Sequence, residues 1–162
     1  MNEEILDEGF VDSLRKIIGS DNSDLMDGII KFFGQALTLK KADRAASLEK
    51  MSKAFSDTYN REFSNIEAAV ANPSPETLAK ASRSMAKLTG DFLRMIGLGA
   101  FAAVPIPGTG PATVLVAHML LKKVTDGKLG LIPPSTYQTF RKYQELSEPK
   151  TERKTFKEFQ RG

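Results

Sequence analysis

Between Arg94 and Lys122 the chain carries no formal charge for 27 residues, Met95 to Leu121, apart from any proton taken up by His118. A helix needs about 20 apolar residues to cross a bilayer, so the run is long enough on length alone. Its middle breaks it. In AVPIPGTGPATVLV, residues 103–116, Pro105, Pro107 and Pro111 are interleaved with Gly108 and Gly110. Proline lacks the amide hydrogen of a helical turn and clashes with the turn before it, and glycine adds backbone entropy. The run is therefore expected to divide into two apolar helical pieces. One ends near Val104 and the other runs from about Pro111 to Lys123, with the bend at Pro105, Pro107, Gly108, Gly110 and Pro111. Each piece is too short to span alone. They form either a buried hairpin in a helical core or a re-entrant wedge in a membrane, and amphipathic helices on both sides, each needing a partner, favour the core.

Those flanking helices show in the spacing of apolar residues. Leu6, Phe10, Leu14, Ile17 and Ile18 fall at helical steps and predict a helix over Glu3–Ile18, ended by Gly19, with acidic Glu3, Glu4, Asp7 and Glu8 at its positive end. Leu25, Ile29, Phe32, Phe33 and Leu37 predict a second helix over Asp24–Leu39. From Lys40 to Ala71 no Pro or Gly intervenes, and Leu48, Met51, Phe55, Tyr59, Phe63, Ile66 and Val70 form one stripe. At the usual rise this is a helix of about 48 Å, and such a stripe marks core packing in a bundle more than a coiled-coil dimer. The segment NPSPET then stops it: Pro73 ends the helix, Ser74 can cap the next, Pro75 suits the first turn and Glu76 its positive end. Leu78, Ala81, Met85, Leu88, Phe92 and Met95 continue as the second arm of an antiparallel hairpin. Further on, Asp126-Gly127-Lys128 reads as a turn, and Ser135 as the cap of a helix holding Tyr137, Phe140 and Tyr143. The expected fold is all-α: a single helical bundle of about six helices over residues 1–147, and a flexible basic tail over 148–162.

Several chemistries are excluded by the residues present. There is no cysteine and one histidine, so thiolate nucleophiles, disulfides and the common metal-ligand sets cannot be assembled. A calcium loop placed with Gly28 as its sixth residue would put Leu25 at a ligand position, where it offers no oxygen. A phosphate-binding loop with Gly110 as its second glycine would put Pro105, Pro111 and Ala112 where Gly, Lys and Ser/Thr are needed. His118 has no carboxylate partner nearby on its helix and reads as a structural histidine. No catalytic residue, metal ligand or cofactor is expected, and a non-enzymatic role follows.

Charge is uneven along the chain. Residues 1–39 hold three Lys/Arg against eight Asp/Glu, residues 40–121 ten against seven, and residues 122–162 ten against five. A basic C-terminal end suits an acidic partner such as RNA or anionic lipid, and the candidate contact surface is Lys122, Lys123, Lys128, Arg141 and Lys142. The start MNEEILDEGF is acidic and lacks the apolar core of a secretory signal, so a cytoplasmic location, or one peripheral to the cytoplasmic face of a membrane, is expected.

The order DFLRMIGLGAFAAVPIPG, an apolar piece, then LIPPSTYQTFRK resembles the ribosome-binding-like helical domain of the LETM family and its short bacterial relatives. These are the leucine-zipper and EF-hand containing transmembrane proteins. The residues that carry the likeness are Asp91 and Arg94, Pro105, and Ile132-Pro133-Pro134-Ser135-Thr136-Tyr137, within residues 76–145. The resemblance implies an all-α module that works near ribosomes or membranes by contact and not by chemistry. A second likeness lies in KTFKEFQ, residues 154–160, which is similar to head-targeting tags of internal proteins in large tailed phages. It points to the alternative of a structural component, docking to other chains of an assembly or virion. The third alternative is an integral membrane protein with a re-entrant apolar hairpin.

Overall fold

Each apolar stripe becomes a helix in the computed structural model, which describes residues 7–18, 23–102 and 109–147. Those residues are all-α with no strand, in six helices of 11 residues or more and one single-turn helix. In order they are α1 (Glu8–Ile18), α2 (Ser23–Ala36), α3 (Lys41–Ala71), α4 (Pro75–Met95), the single turn α5 (Gly99–Ala102), α6 (Thr109–Val124) and α7 (Tyr137–Ser147). Glu3, Glu4, Gly19 and the tail 148–162 lie outside the described residues.

Local chemistry sets the ends. Asp7 stands just before α1, where its carboxylate accepts the Phe10 N–H at 2.8 Å. It therefore works as a cap, not as a charge inside the first turns. α2 stops at Ala36, three residues short of the expected Leu39, because the chain tightens into a turn with Leu39 N–H donating to Ala36 O. At Ser74 a reciprocal capping box forms: the hydroxyl accepts the Thr77 N–H at 3.1 Å, and the Ser74 N–H donates to Thr77 Oγ1 at 2.9 Å.

α3 and α4 lie against each other as the long hairpin. Leu48, Met51, Phe55, Tyr59 and Ile66 on α3 meet Ala81, Met85, Leu88 and Phe92 on α4, all buried, with Phe55 and Phe92 edge to face at 6.4 Å between ring centres. Phe63, Val70, Leu78 and Met95 are half-buried at the margin. Polar side chains also meet at the seam, Thr58 and Ser84 among them buried. Thr58 donates to Asp91, Arg94 pairs with Asp91, and Ser84 bridges Glu62 and Asn65.

The apolar run departs from expectation in its breaks. α4 ends at Met95, and Gly97 takes a left-handed backbone (φ 81°) so that the Leu98 N–H can reach back to Leu93 O at 2.7 Å. The first apolar piece is therefore not one helix to Val104, but the end of α4, a turn, and α5. Gly110 and Pro111 were expected in the bend, yet both belong to the first turn of α6, where a proline's missing N–H leaves no intrahelical bond unmade. Pro105, Pro107 and Gly108 lie outside the described residues.

From Pro111 to Leu121 every residue of α6 is buried except half-buried Met119. α1, α2, α4 and α7 all pack on it, so this second piece of the apolar run is enclosed by helices of its own chain. Among the described residues no helix is long and apolar enough to cross a membrane.

Candidate functional site: the collar behind α6

Residues 125–136 form a collar that turns off the end of α6 and runs back along it. Thr125 opens it: its hydroxyl donates to Leu121 O at 2.7 Å and accepts the Leu129 N–H at 3.0 Å. Asp126 (φ 55°) and Gly127 (φ 81°) supply two left-handed residues in succession, and the Gly127 N–H closes on Lys122 O at 2.7 Å. Asp tolerates that conformation and Gly adopts it freely, which is why the Asp-Gly pair makes the turn.

Two helices, α3 and α6, then hold the returning backbone. Ser52 of α3 donates to Gly130 O at 3.0 Å. His118 of α6 accepts two consecutive amides, Leu131 N–H at 3.0 Å and Ile132 N–H at 3.1 Å, both on Nδ1. Tyr59 of α3 shares a hydrogen bond of 2.7 Å with the Thr136 hydroxyl, which is also within 3.1 Å of Pro133 O. Leu131 and Ile132 thereby drop into the core, each 3% exposed. A 3-10 turn, Pro134–Thr136, leads into α7. Ser135, expected to cap α7, is exposed and its hydroxyl makes no hydrogen bond among the described residues; Thr136 carries the hydroxyl contacts instead.

Burial shifts the groups that build the clasp. His118 is pushed down from 6.5 to about 4, first by burial and then by the charge of Lys122. The two N–H groups aimed at Nδ1 oppose its protonation in the same direction. Tyr59 is raised to about 12 by burial, which outweighs its bond to Thr136, and burial raises Tyr143 as well. Burial therefore favours the uncharged form of all three. Among the described residues no set of three or more acidic, Cys or His side chains is placed to hold a metal.

The five basic residues divide into two groups. Lys122 and Lys123 occupy the last turn of α6 and Lys128 follows its cap; all three are exposed. Lys122 lies over the collar, with its Cε 3.5 Å from where a Cβ on Gly130 would stand. Lys123 turns the other way, its ammonium 5.3 Å from the centre of the Phe10 ring on α1. Arg141, half-buried, and Lys142, exposed, stand on α7, and no hydrogen bond or ion pair links them to the α6 group. Among the described residues none of the five pairs with a carboxylate; the pairs that do form are Arg15–Asp27, Lys80–Glu76, Lys87–Glu62 and Arg94–Asp91.

Gly130, Ser52 and Tyr59 escape a sequence-only reading of this site. Gly130 is the most informative. A Cβ there would stand 2.5 Å from His118 Cε1 and 2.8 Å from Nδ1, so only glycine lets the collar reach the ring. Sequence spacing gives no sign of such a long-range approach. Of two residues that carry the LETM resemblance, Asp91 ties the α3–α4 seam through Thr58, while Arg94 pairs with Asp91 on the same helix and its guanidinium covers Gly90. No family model, curated protein or solved structure matches this chain.

Proposed function

We propose that this protein is a non-enzymatic, LETM-like helical module that docks on an anionic surface, a ribosome or a membrane, through its basic C-terminal region. The observation that carries the reading is the set of cations Lys122, Lys123, Lys128, Arg141 and Lys142, none paired with a carboxylate among the described residues and borne on the two helices that the hydrogen-bonded collar joins and on the collar itself. Cations without internal partners keep their full charge for an external anion, and displacing counterions from a polyanion drives such docking.

Between the two surfaces, the ribosome is favoured. Interfacial membrane binding uses exposed apolar side chains as anchors, and among the described residues the sole large hydrophobic that is exposed is Leu39, at 45%, far along the chain from the collar. The same sparsity weighs against a component that docks apolar helix faces onto other chains of an assembly.

Co-sedimentation tests the reading. Purified protein should pellet with ribosomes at low salt and be released as salt rises, with phosphatidylglycerol vesicles as the membrane arm. Replacing Arg141 and Lys142 by Glu, together with Lys122 and Lys128, should weaken low-salt binding by more than tenfold and flatten its salt dependence. Binding that ignores both salt and charge reversal would remove the basic region from the mechanism. A protein that pellets with neither surface would end the docking reading.

A further inference from the structure

The collar accounts for one nitrogen of His118 and leaves the other free. Because Nδ1 accepts two amide N–H groups, it carries no proton, and the neutral ring must hold its proton on Nε2. Among the described residues that N–H has no acceptor. It is not sealed in either. Among the described residues the buried side-chain polar atoms without a partner are Thr89 Oγ1 and Thr113 Oγ1; Nε2 is not one of them, and His118 keeps 5% of its surface open.

The ring cannot rotate to hide this donor. Gly130 lies along the Cε1–Nδ1 edge so closely that a Cβ there would stand 2.5 Å from Cε1, the Tyr137 ring lies 5.6 Å away between centres, and turning the imidazole would release both collar amides. Lys122, one helical turn further along α6, has its Cε 3.5 Å from that same Cβ position and, among the described residues, no carboxylate partner. A fixed neutral donor and an unpaired ammonium therefore share one mouth between α6 and the collar. Such a combination matches a phosphate group, whose oxygens accept from a directional donor while its charge is met by a lysine.

We propose that His118 Nε2–H and the Lys122 ammonium together bind a phosphate group at the mouth between α6 and the collar. This rests on the docking reading above and names the group recognised. The imidazole contributes a directed hydrogen bond and Lys122 the charge. The Nδ1 clasp keeps the donor aimed outward.

The test uses the full chain and the Hε1 and Hδ2 resonances of His118, the sole histidine and therefore unambiguous in a spectrum. Inorganic phosphate should shift them saturably, while chloride at matched ionic strength should not. Phosphatidylglycerol vesicles, against phosphatidylcholine ones, test the lipid headgroup as the source, and a short single-stranded RNA tests a nucleic-acid phosphodiester. Lys122→Gln should weaken phosphate binding about tenfold. His118→Asn should do the same, read on the Leu131 and Ile132 amides, while its thermal transition stays near that of the parent. The asparagine oxygen replaces the Nδ1 acceptor but offers no donor where Nε2–H was. Should His118→Asn fail to fold, Lys122→Gln decides alone. Absence of a saturable phosphate shift, or unchanged affinity in Lys122→Gln, overturns the site. Salt-sensitive ribosome binding that persists in both variants would leave the docking reading standing and remove the phosphate site. A phosphate shift in a protein that ignores ribosomes and vesicles would do the reverse.

Discussion

α3 and α6 solve the same problem, burying apolar surface, in opposite ways. Of the 31 residues of α3, the buried ones are Leu48, Met51, Phe55, Thr58, Tyr59, Ile66 and Ala69, a stripe on an otherwise solvated helix. α6 is enclosed on nearly every side from Pro111 to Leu121. A stripe needs one partner and shows by its spacing which face meets it. A helix that is apolar all round shows no face, and its polar members must be satisfied by whatever surrounds it. For His118 that is the collar; for Thr113 Oγ1, buried without a partner, it is nothing.

Charge is the strongest way to break this contrast. Ala117→Asp places a carboxylate at a fully buried position on α6 and should cost more than about 4 kcal/mol, enough to prevent folding. Ala46→Asp, on an exposed turn of α3, should change stability by less than about 0.5 kcal/mol. Urea denaturation of the two proteins measures the difference, and similar costs would mean that α6 is not enclosed.

Next in size is Gly130→Ala. The new methyl would overlap the His118 ring, so the ring or the collar must give way, with loss of the paired amide bonds. The expected cost is about 3 to 4 kcal/mol, from overpacking and unmade buried hydrogen bonds together. An equivalent change at Gly34, which has open space, should cost no stability and should gain helix propensity. Equal melting temperatures for the two variants would show that the collar is not pressed on the ring.

Acid probes the same clasp without a substitution. His118 titrates at about 4 in the folded protein and near 6.5 when unfolded, so above pH 6.5 it is neutral in both states and the clasp contributes fully. As pH falls from about 6.5 towards about 4, the unfolded chain takes up a proton that the folded one refuses. Stability should decline by up to about 3 kcal/mol over that window and stop declining on this account below it. Comparing urea midpoints of the parent and His118→Asn at pH 7, 5.5 and 4.5 isolates this share from that of the carboxylates. Parallel curves would remove the histidine from the acid response.

The smallest effect lies at Thr113. Replacing it with Val removes a buried hydroxyl that makes no hydrogen bond and keeps the shape, so stability should rise by about 1 kcal/mol. A loss instead would reveal a partner for the hydroxyl in the folded protein.

Legibility followed periodicity. The stripes of α1 to α4 and the Ser74 cap stood in the sequence because they depend on residues within a few positions of one another. Three boundaries shifted for local reasons: the turn after Ala36, the left-handed Gly97, and a proline accommodated in the first turn of α6. The site was less legible. Lys122, Lys123, Lys128, Arg141 and Lys142 could be named as cations, but spacing could not show that Lys123 leans on Phe10 while Lys122 covers the collar. Gly130 looked like any loop glycine.

From the sequence alone, the chain was committed to helices, to a long hairpin pinned at NPSPET, and to a break in its uncharged run. These follow from steric and hydrogen-bonding rules that act within one or two turns. Tertiary structure alone decided that α6, the second piece of that run, lies among α1, α2, α4 and α7, and that His118 meets Leu131 and Ile132. Hydrophobic burial has no direction, so an apolar segment is equally served by lipid or by protein until its neighbours close around it. A hydrogen bond between residues 13 or 14 positions apart exists once that closure has brought them together.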